Sequence, residues 1–214
     1  MAGTKQHQVP GVRERAKLHT RQRLLGAAKD LFEERGYDNV TIAEIAARAQ
    51  VSAKTLFQHF RSKEDLLIGE LDEVHQDLIR ALGRRDLSKT PLEAVTDWLI
   101  QWPAQRPPDA FERFVRLVGG GPSVESVRRR LYDEWENAIV VVLADEANEA
   151  RPTPRTRLIA AQLIALIRVL TSPEQRAFIE RYPPQGRQQA YREAVLDAAA
   201  QLARGLGREA ARSG

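Results

Sequence analysis

Apolar residues recur at intervals of three and four along nearly the whole chain, and nowhere do they alternate with polar ones over the length of a strand. That periodicity is the pattern of amphipathic helices and argues against a sheet-based core. A first helix is predicted from about Arg13 to Arg35, with Leu24, Ala28, Leu31 and Phe32 on one face. Gly36 stops it, as a glycine just past a helix end does. Thr41 and Glu44 then form a capping box for a second, short helix, with Val40 placed to staple onto Ile45. Ser52 caps a third short helix, and Ser62 a fourth, longer one carrying Leu66, Leu67, Leu71, Val74, Leu78 and Leu82. Thr90-Pro91-Leu92-Glu93 opens the next, with proline at the first helical position, where its missing N–H costs nothing. Asp109, Ser123, Thr153-Pro154, Ser172-Pro173 and Pro183-Pro184 open the rest, and Gly119-Gly120-Gly121-Pro122 is the strongest break. The expectation is an all-α chain of about nine to ten helices.

At 214 residues the chain is long enough to bury a sizeable core in one or two domains. Its 43% apolar and 29% charged residues are ordinary for a folded protein. The absence of cysteine excludes a disulfide scaffold, a cysteine-ligated metal and a cysteine nucleophile. No apolar run suits a membrane span, and the first twenty residues hold no signal-peptide core, so a cytoplasmic location is expected. His7, His19, His59 and His75 stand at no metal-ligand spacing, and the triple glycine lacks the Lys-Ser/Thr that a phosphate loop needs. No serine occupies a nucleophile elbow. The reading is therefore not an enzyme, with no metal and no cofactor. Charge is more informative. Residues 1–63 carry 12 Lys/Arg against 6 Asp/Glu, while the remainder carries 21 against 23. A basic front third suits a polyanionic partner, and a merely solvated basic surface gives the same count.

Residues 41–60 place two short helices about a turn of roughly three residues, the layout of a helix-turn-helix. Ile45, Ala46, Val51, Leu56 and Phe60 are expected inward, with Ala46 small enough to let the second helix approach. Ala53, Lys54, Thr55, Gln58 and His59 remain outward, small or hydrogen-bonding groups of the kind that fit a major groove. A helical hairpin that only packs is the alternative.

Residues 20–67 resemble the N-terminal domain of the TetR family of bacterial transcriptional regulators. The resemblance lies in Ala27-Ala28, Leu31-Phe32, Gly36-Tyr37, Thr41-Ile42-Ala43-Glu44-Ile45-Ala46, Val51-Ser52, Thr55-Leu56-Phe57-Gln58-His59-Phe60 and Lys63-Glu64-Asp65-Leu66-Leu67. It implies an N-terminal three-helix helix-turn-helix DNA-binding domain over 1–66, followed by a larger helical ligand-binding and dimerisation domain over 67–207 and a flexible tail over 208–214. It also implies roles. Thr41 would bind phosphate at a helix N-terminus, where free N–H groups favour an anion. Ser52 and Lys54 would open the recognition helix, with Ala53, Thr55 and Gln58 near the bases. Phe57 and His59 would touch the sugar-phosphate backbone, although Phe57 in the core and His59 as a helix-end cap are alternatives. Lys63 would anchor a phosphate. The turn departs from the pattern at Gln50, where the family usually has glycine; a left-handed backbone there would cost Gln50 about 1 kcal/mol. Arg13, Arg15, Lys17, His19 and Arg21 form a basic arm for phosphates or a minor groove, or a solvated arm with no contact.

A helix-turn-helix this small reads few bases, and pairing two across a two-fold axis solves that. Leu158, Ile159, Leu163, Ile164, Leu166, Ile167, Val169 and Leu170 make one late helix apolar nearly all round, hence buried on more than one side. With Val195, Ala198 and Leu202 of the last helix, its Leu158, Leu163, Ile167 and Leu170 form the expected homodimer interface, although a monomeric core helix would read the same way. Arg168 within that stretch is expected to reach an edge or pair with an acid. Trp98, Trp102, Phe111, Phe114, Tyr132 and Trp135 are candidates to line a pocket for a small apolar or aromatic effector, and each is equally a candidate core residue. The function implied is a homodimeric repressor that binds double-stranded operator DNA and is released by an effector. The alternatives are an effector-independent DNA-binding protein and a helical protein-interaction adaptor.

Overall fold

The computed structural model describes residues 11–104 and 122–205. Phe111 and Phe114, the helix expected from Asp109 and the triple-glycine break lie outside the described residues. Those described are helical throughout, with no strand among them. The chain divides into two compact units, Met1–Glu70 and Leu71–Gly214.

In the first unit, α1 (Val12–Arg35) is followed by a 3-10 turn (Tyr37–Asn39), α2 (Ile42–Arg48), α3 (Ala53–His59) and α4 (Lys63–Glu70). Gly36, at φ 79°, lets the chain leave α1. The expected basic arm is not an extended segment: from Arg13 onward it forms the first turns of α1, where Arg13, Arg15, Lys17 and His19 are all exposed. Leu24, Ala28, Leu31 and Phe32 form the buried side of α1, and Ile45, Leu56, Phe60, Leu66 and Leu67 close over it. α4 lies tight against α1 at Gly69, where a Cβ would stand 2.7 Å from Leu25 Cδ2, so no larger residue fits without a shift.

The second unit contains α5 (Asp72–Gly83), α6 (Pro91–Ala104), α7 (Pro122–Glu146), α8 (Pro154–Leu170), α9 (Pro173–Ile179) and α10 (Pro184–Arg204). The long fourth helix expected from Ser62 is thus two helices, parted at Leu71. Hydrophobic periodicity continues smoothly through Leu71, which is buried, so the pattern gave no sign of the break. Side-chain caps start the helices as their sequences require: Thr90 and Glu93 reciprocate across the first turn of α6, Thr153 accepts from Thr156 N–H, and Ser172 accepts from Gln175 N–H. α7 packs along α8, α5 packs on α6 and α7, and α10 packs on α6 and α8. Leu78, Leu82, Val95, Leu131, Trp135, Ile139, Leu163, Ile167 and Val195 form the core between them.

Candidate nucleic-acid interface

α2 starts where the capping box predicts. Glu44 N–H donates to Thr41 Oγ1 at 3.3 Å, and Thr41 N–H donates to Glu44 Oε2 at 2.8 Å. Arg35 adds an ion pair to Glu44 at 2.7 Å and donates to Asn39 C=O at 2.8 Å. Hydrogen bonds from Thr41, then from Arg35, hold the Glu44 carboxyl down to about 2. Thr41 is exposed, but its hydroxyl donates to Glu44 at 2.7 Å, so a phosphate there has to share it.

The turn into α3 needs a left-handed residue, and Gln50 supplies it at φ 53°. Its N–H donates to Ala47 C=O and the following Val51 N–H to Ala46 C=O, while Arg23 of α1 donates to Ala49 C=O. A side chain with a Cβ is strained in this region and glycine is not. Gln50→Gly is therefore expected to raise stability by roughly 0.5–1 kcal/mol, strain relief less the added freedom of the unfolded chain. Urea denaturation followed by far-ultraviolet circular dichroism measures it, and an unchanged or lowered midpoint would show that the turn is unstrained.

α3 presents two different sides. Ser52 caps it by accepting from Thr55 N–H at 3.0 Å. Leu56 and Phe60 are buried, and the Arg21 guanidinium lies 4.5 Å above the Phe60 ring. Ser52, Ala53, Lys54 and Gln58 are exposed, Thr55 and His59 half-buried. Phe57 is 54% exposed and is not a core residue. His59 is pushed below its ordinary value by burial and then by Lys17 and Arg21, so at neutral pH it is an uncharged ring beside two cations. Both cations belong to α1, so its basic N-terminal part comes near the end of α3.

Lys63 is placed differently from the free anchor that the sequence suggests. Its Nζ donates to Val40 C=O at 2.8 Å and lies 4.1 Å above the Tyr37 ring. Tertiary packing turns this long side chain inward, a fact that helical position alone does not reveal.

The second unit sorts the other candidates. Trp98 and Trp102 are buried, their rings 6.2 Å apart, beside a groove of about 860 Å3 whose lining also includes Ala81, Arg84, Lys89 and Asp97. The Trp98 indole N–H is buried without an acceptor among the described residues. Tyr132 lines a separate groove of about 290 Å3 and shares a 3.0 Å hydrogen bond with Thr171. Trp135 lines neither; its ring packs on His75 and Tyr132. Among the described residues, then, Trp98 and Trp102 border one groove and Tyr132 another, while Trp135 lies in the core. The dimer candidates divide as well. Leu163, Ile167, Leu170 and Val195 are consumed by the protomer's own core and cannot reach a partner. Ala198 and Leu202 are half-buried. Leu158 is 59% exposed and Val169 of the same apolar stretch 58%, and Leu196 at 45%, which the sequence did not single out, accompanies them. Arg168 reaches solvent.

Residues 24–69 match the model of the bacterial regulatory proteins of the tetR family. The HTH-type transcriptional regulator TcmR of Streptomyces glaucescens is 33% identical over 87 residues, 41% of this chain and 38% of TcmR. The chain thus matches well under half the length of that relative. A TetR-family transcription regulator from Shewanella sp. PV-4 has a solved structure 27% identical, covering 84% of this chain and 95% of its own, with a TM-score of 0.50. The N-terminal part of the chain is thus similar to TetR-family regulators. A second solved TetR-family structure, from Syntrophomonas wolfei, shares the fold of this chain at 20% identity and a TM-score of 0.61, covering 90% of this chain and 98% of its own.

Proposed function

We propose that this protein is a TetR-like homodimeric transcriptional repressor that reads a pseudo-palindromic operator through α3 and releases it when a small apolar or aromatic molecule binds the second unit. Support comes first from α3, whose inner side is buried while Lys54, Phe57 and Gln58 are exposed. In this reading Lys54 and Gln58 meet base edges or phosphates, Ala53 a thymine methyl, and Phe57 and His59 the sugar-phosphate backbone. The basic turns of α1 add sequence-independent attraction, which depends on salt. Pairing supplies the second half-site, and the outward Leu158, Val169 and Leu196 supply a surface for it. Release follows if the effector prefers the state that does not fit DNA, and it shifts the equilibrium only by that difference in affinity.

The test is an electrophoretic shift with a duplex selected from a random library by the wild-type protein. Lys54→Ala is expected to weaken binding about tenfold, with log affinity falling less steeply against log salt by about 0.9 if Lys54 meets a phosphate. A wild-type protein that selects no duplex at any salt would overturn the repressor reading in favour of an adaptor.

A further inference from the structure

The peptide group between Val40 and Thr41 is gripped at both ends. Its oxygen accepts from Lys63 Nζ at 2.8 Å, and its N–H donates to Glu44 Oε2 at 2.8 Å. Glu44 is held in turn by Arg35, whose second nitrogen binds Asn39 C=O. Tyr37 is enclosed by the same first turn of α4: the Lys63 ammonium covers its ring face, and its hydroxyl interacts with the Glu64 carboxylate. On its other side Tyr37 packs against Phe32 of α1, with ring centroids 5.2 Å apart. The residues that start α2 are therefore fixed from α1 and α4 together, and Lys63 is the α4 side of that grip. Burial pushes the Lys63 ammonium below its ordinary value, against the pull of Asp38 and Glu64, as fits a cation turned away from open solvent.

We propose that Lys63 is a positioning residue: its ammonium latches the first turn of α4 onto Tyr37 and Val40 and so holds Thr41 and α2 where α3 can be presented to DNA, instead of serving as a free phosphate anchor. The proposal rests on the DNA-binding reading above and adds a route by which α4 controls it. α4 is the last helix of the first unit, and Leu71 follows it directly. A shift of α4 along its axis withdraws Lys63 from the Val40 carbonyl. The cap of α2 then loses its outer support while α3 keeps every side chain it needs. A phosphate anchor and a latch both weaken DNA binding when removed, but they differ in salt dependence and in how they respond to Tyr37.

Lys63→Met, Tyr37→Leu, Tyr37→Phe and the double variant Lys63→Met/Tyr37→Leu are titrated against the selected duplex over a range of salt. Circular dichroism melting confines the comparison to temperatures at which each variant is folded. A latch predicts that Lys63→Met loses about tenfold in affinity, the scale of one charge-assisted hydrogen bond with a cation–π contact, at an unchanged salt slope. It predicts a similar loss for Tyr37→Leu, no further loss in the double variant, and near wild-type binding for Tyr37→Phe, which keeps the ring face. An anchor predicts a slope shallower by about 0.9 for Lys63→Met and undiminished binding for Tyr37→Leu, which frees the ammonium. Either of those results overturns the latch. A wild-type protein that selects no duplex defeats the DNA-binding reading instead, so the two failures are distinct.

Discussion

Replacing both Leu158 and Val169 with glutamate is expected to leave a folded monomer whose affinity for the selected duplex is lower by about three orders of magnitude. The two residues are eleven apart on α8, close to three helical turns, so they share one side of the helix. Ala165 lies between them on that side, half-buried, and Leu196 marks the outward side of the neighbouring α10. Two glutamates on that surface add like charges across a two-fold axis, where each meets its own copy, and a self-complementary interface doubles every fault. The fold survives because neither side chain supports the core. DNA binding does not, because the second head then binds from solution instead of at the high effective concentration that a tether provides. Sedimentation velocity and an electrophoretic shift read the two consequences separately. Leu87→Glu is the control, since Leu87 is exposed on a loop and its change is expected to alter neither. A charged variant that still sediments as a dimer would move the interface elsewhere, and one that sediments as a monomer yet binds as well as wild type would end the paired-head reading.

Much of the first unit was legible before any coordinates. Thr41 with Glu44, Ser52 and Ser62 are local signals, since a cap acts on N–H groups two or three residues away and needs nothing from the rest of the chain. The left-handed turn at Gln50 was legible only through the family resemblance, in which glycine is usual at that place. What the sequence hid depends on packing between distant segments. A helix that is apolar nearly all round, like α8, does not say which side its own core takes. Leu163 and Leu158 look alike in sequence, and only the arrival of α7 and α10 separates them. Lys63 follows the same logic at a smaller scale. A long flexible side chain at a helix start suits a phosphate, and only the proximity of Tyr37 and Val40 turns it inward. The break at Leu71 left no mark, since a buried leucine satisfies a continuous helix and an interrupted one equally well.

Trp135→Ala is expected to cost the second unit about 3–5 kcal/mol, a large share of the 5–15 kcal/mol that holds a domain together. Trp135 is 1% exposed and sits where α5 and α7 meet, its ring stacked on His75 at 5.6 Å and nearly parallel. It also meets the edge of Tyr132, whose hydroxyl reaches Thr171 at the end of α8. Removing the indole opens a cavity between α5 and α7, and Trp135→Phe, which keeps a ring there, is expected to cost less than half as much. The three tryptophans of the chain all lie in the second unit, so tryptophan fluorescence in urea follows that unit alone, with Trp98 and Trp102 still reporting in the variant. The variant also changes the response to acid. Burial pushes His75 below 6.5 despite the opposing pull of Asp72 and Glu134, and its buried Nε2 has no hydrogen-bond partner among the described residues. The unfolded chain therefore binds a proton before the folded one does, and the wild-type protein loses stability as pH falls from 6.5 through the depressed value. With the indole gone, water reaches His75, its affinity for a proton recovers, and that part of the acid sensitivity disappears. Urea midpoints between pH 7.5 and 5 compare the two proteins, and an equal slope in both would show that the His75–Trp135 stack is not what keeps the imidazole uncharged.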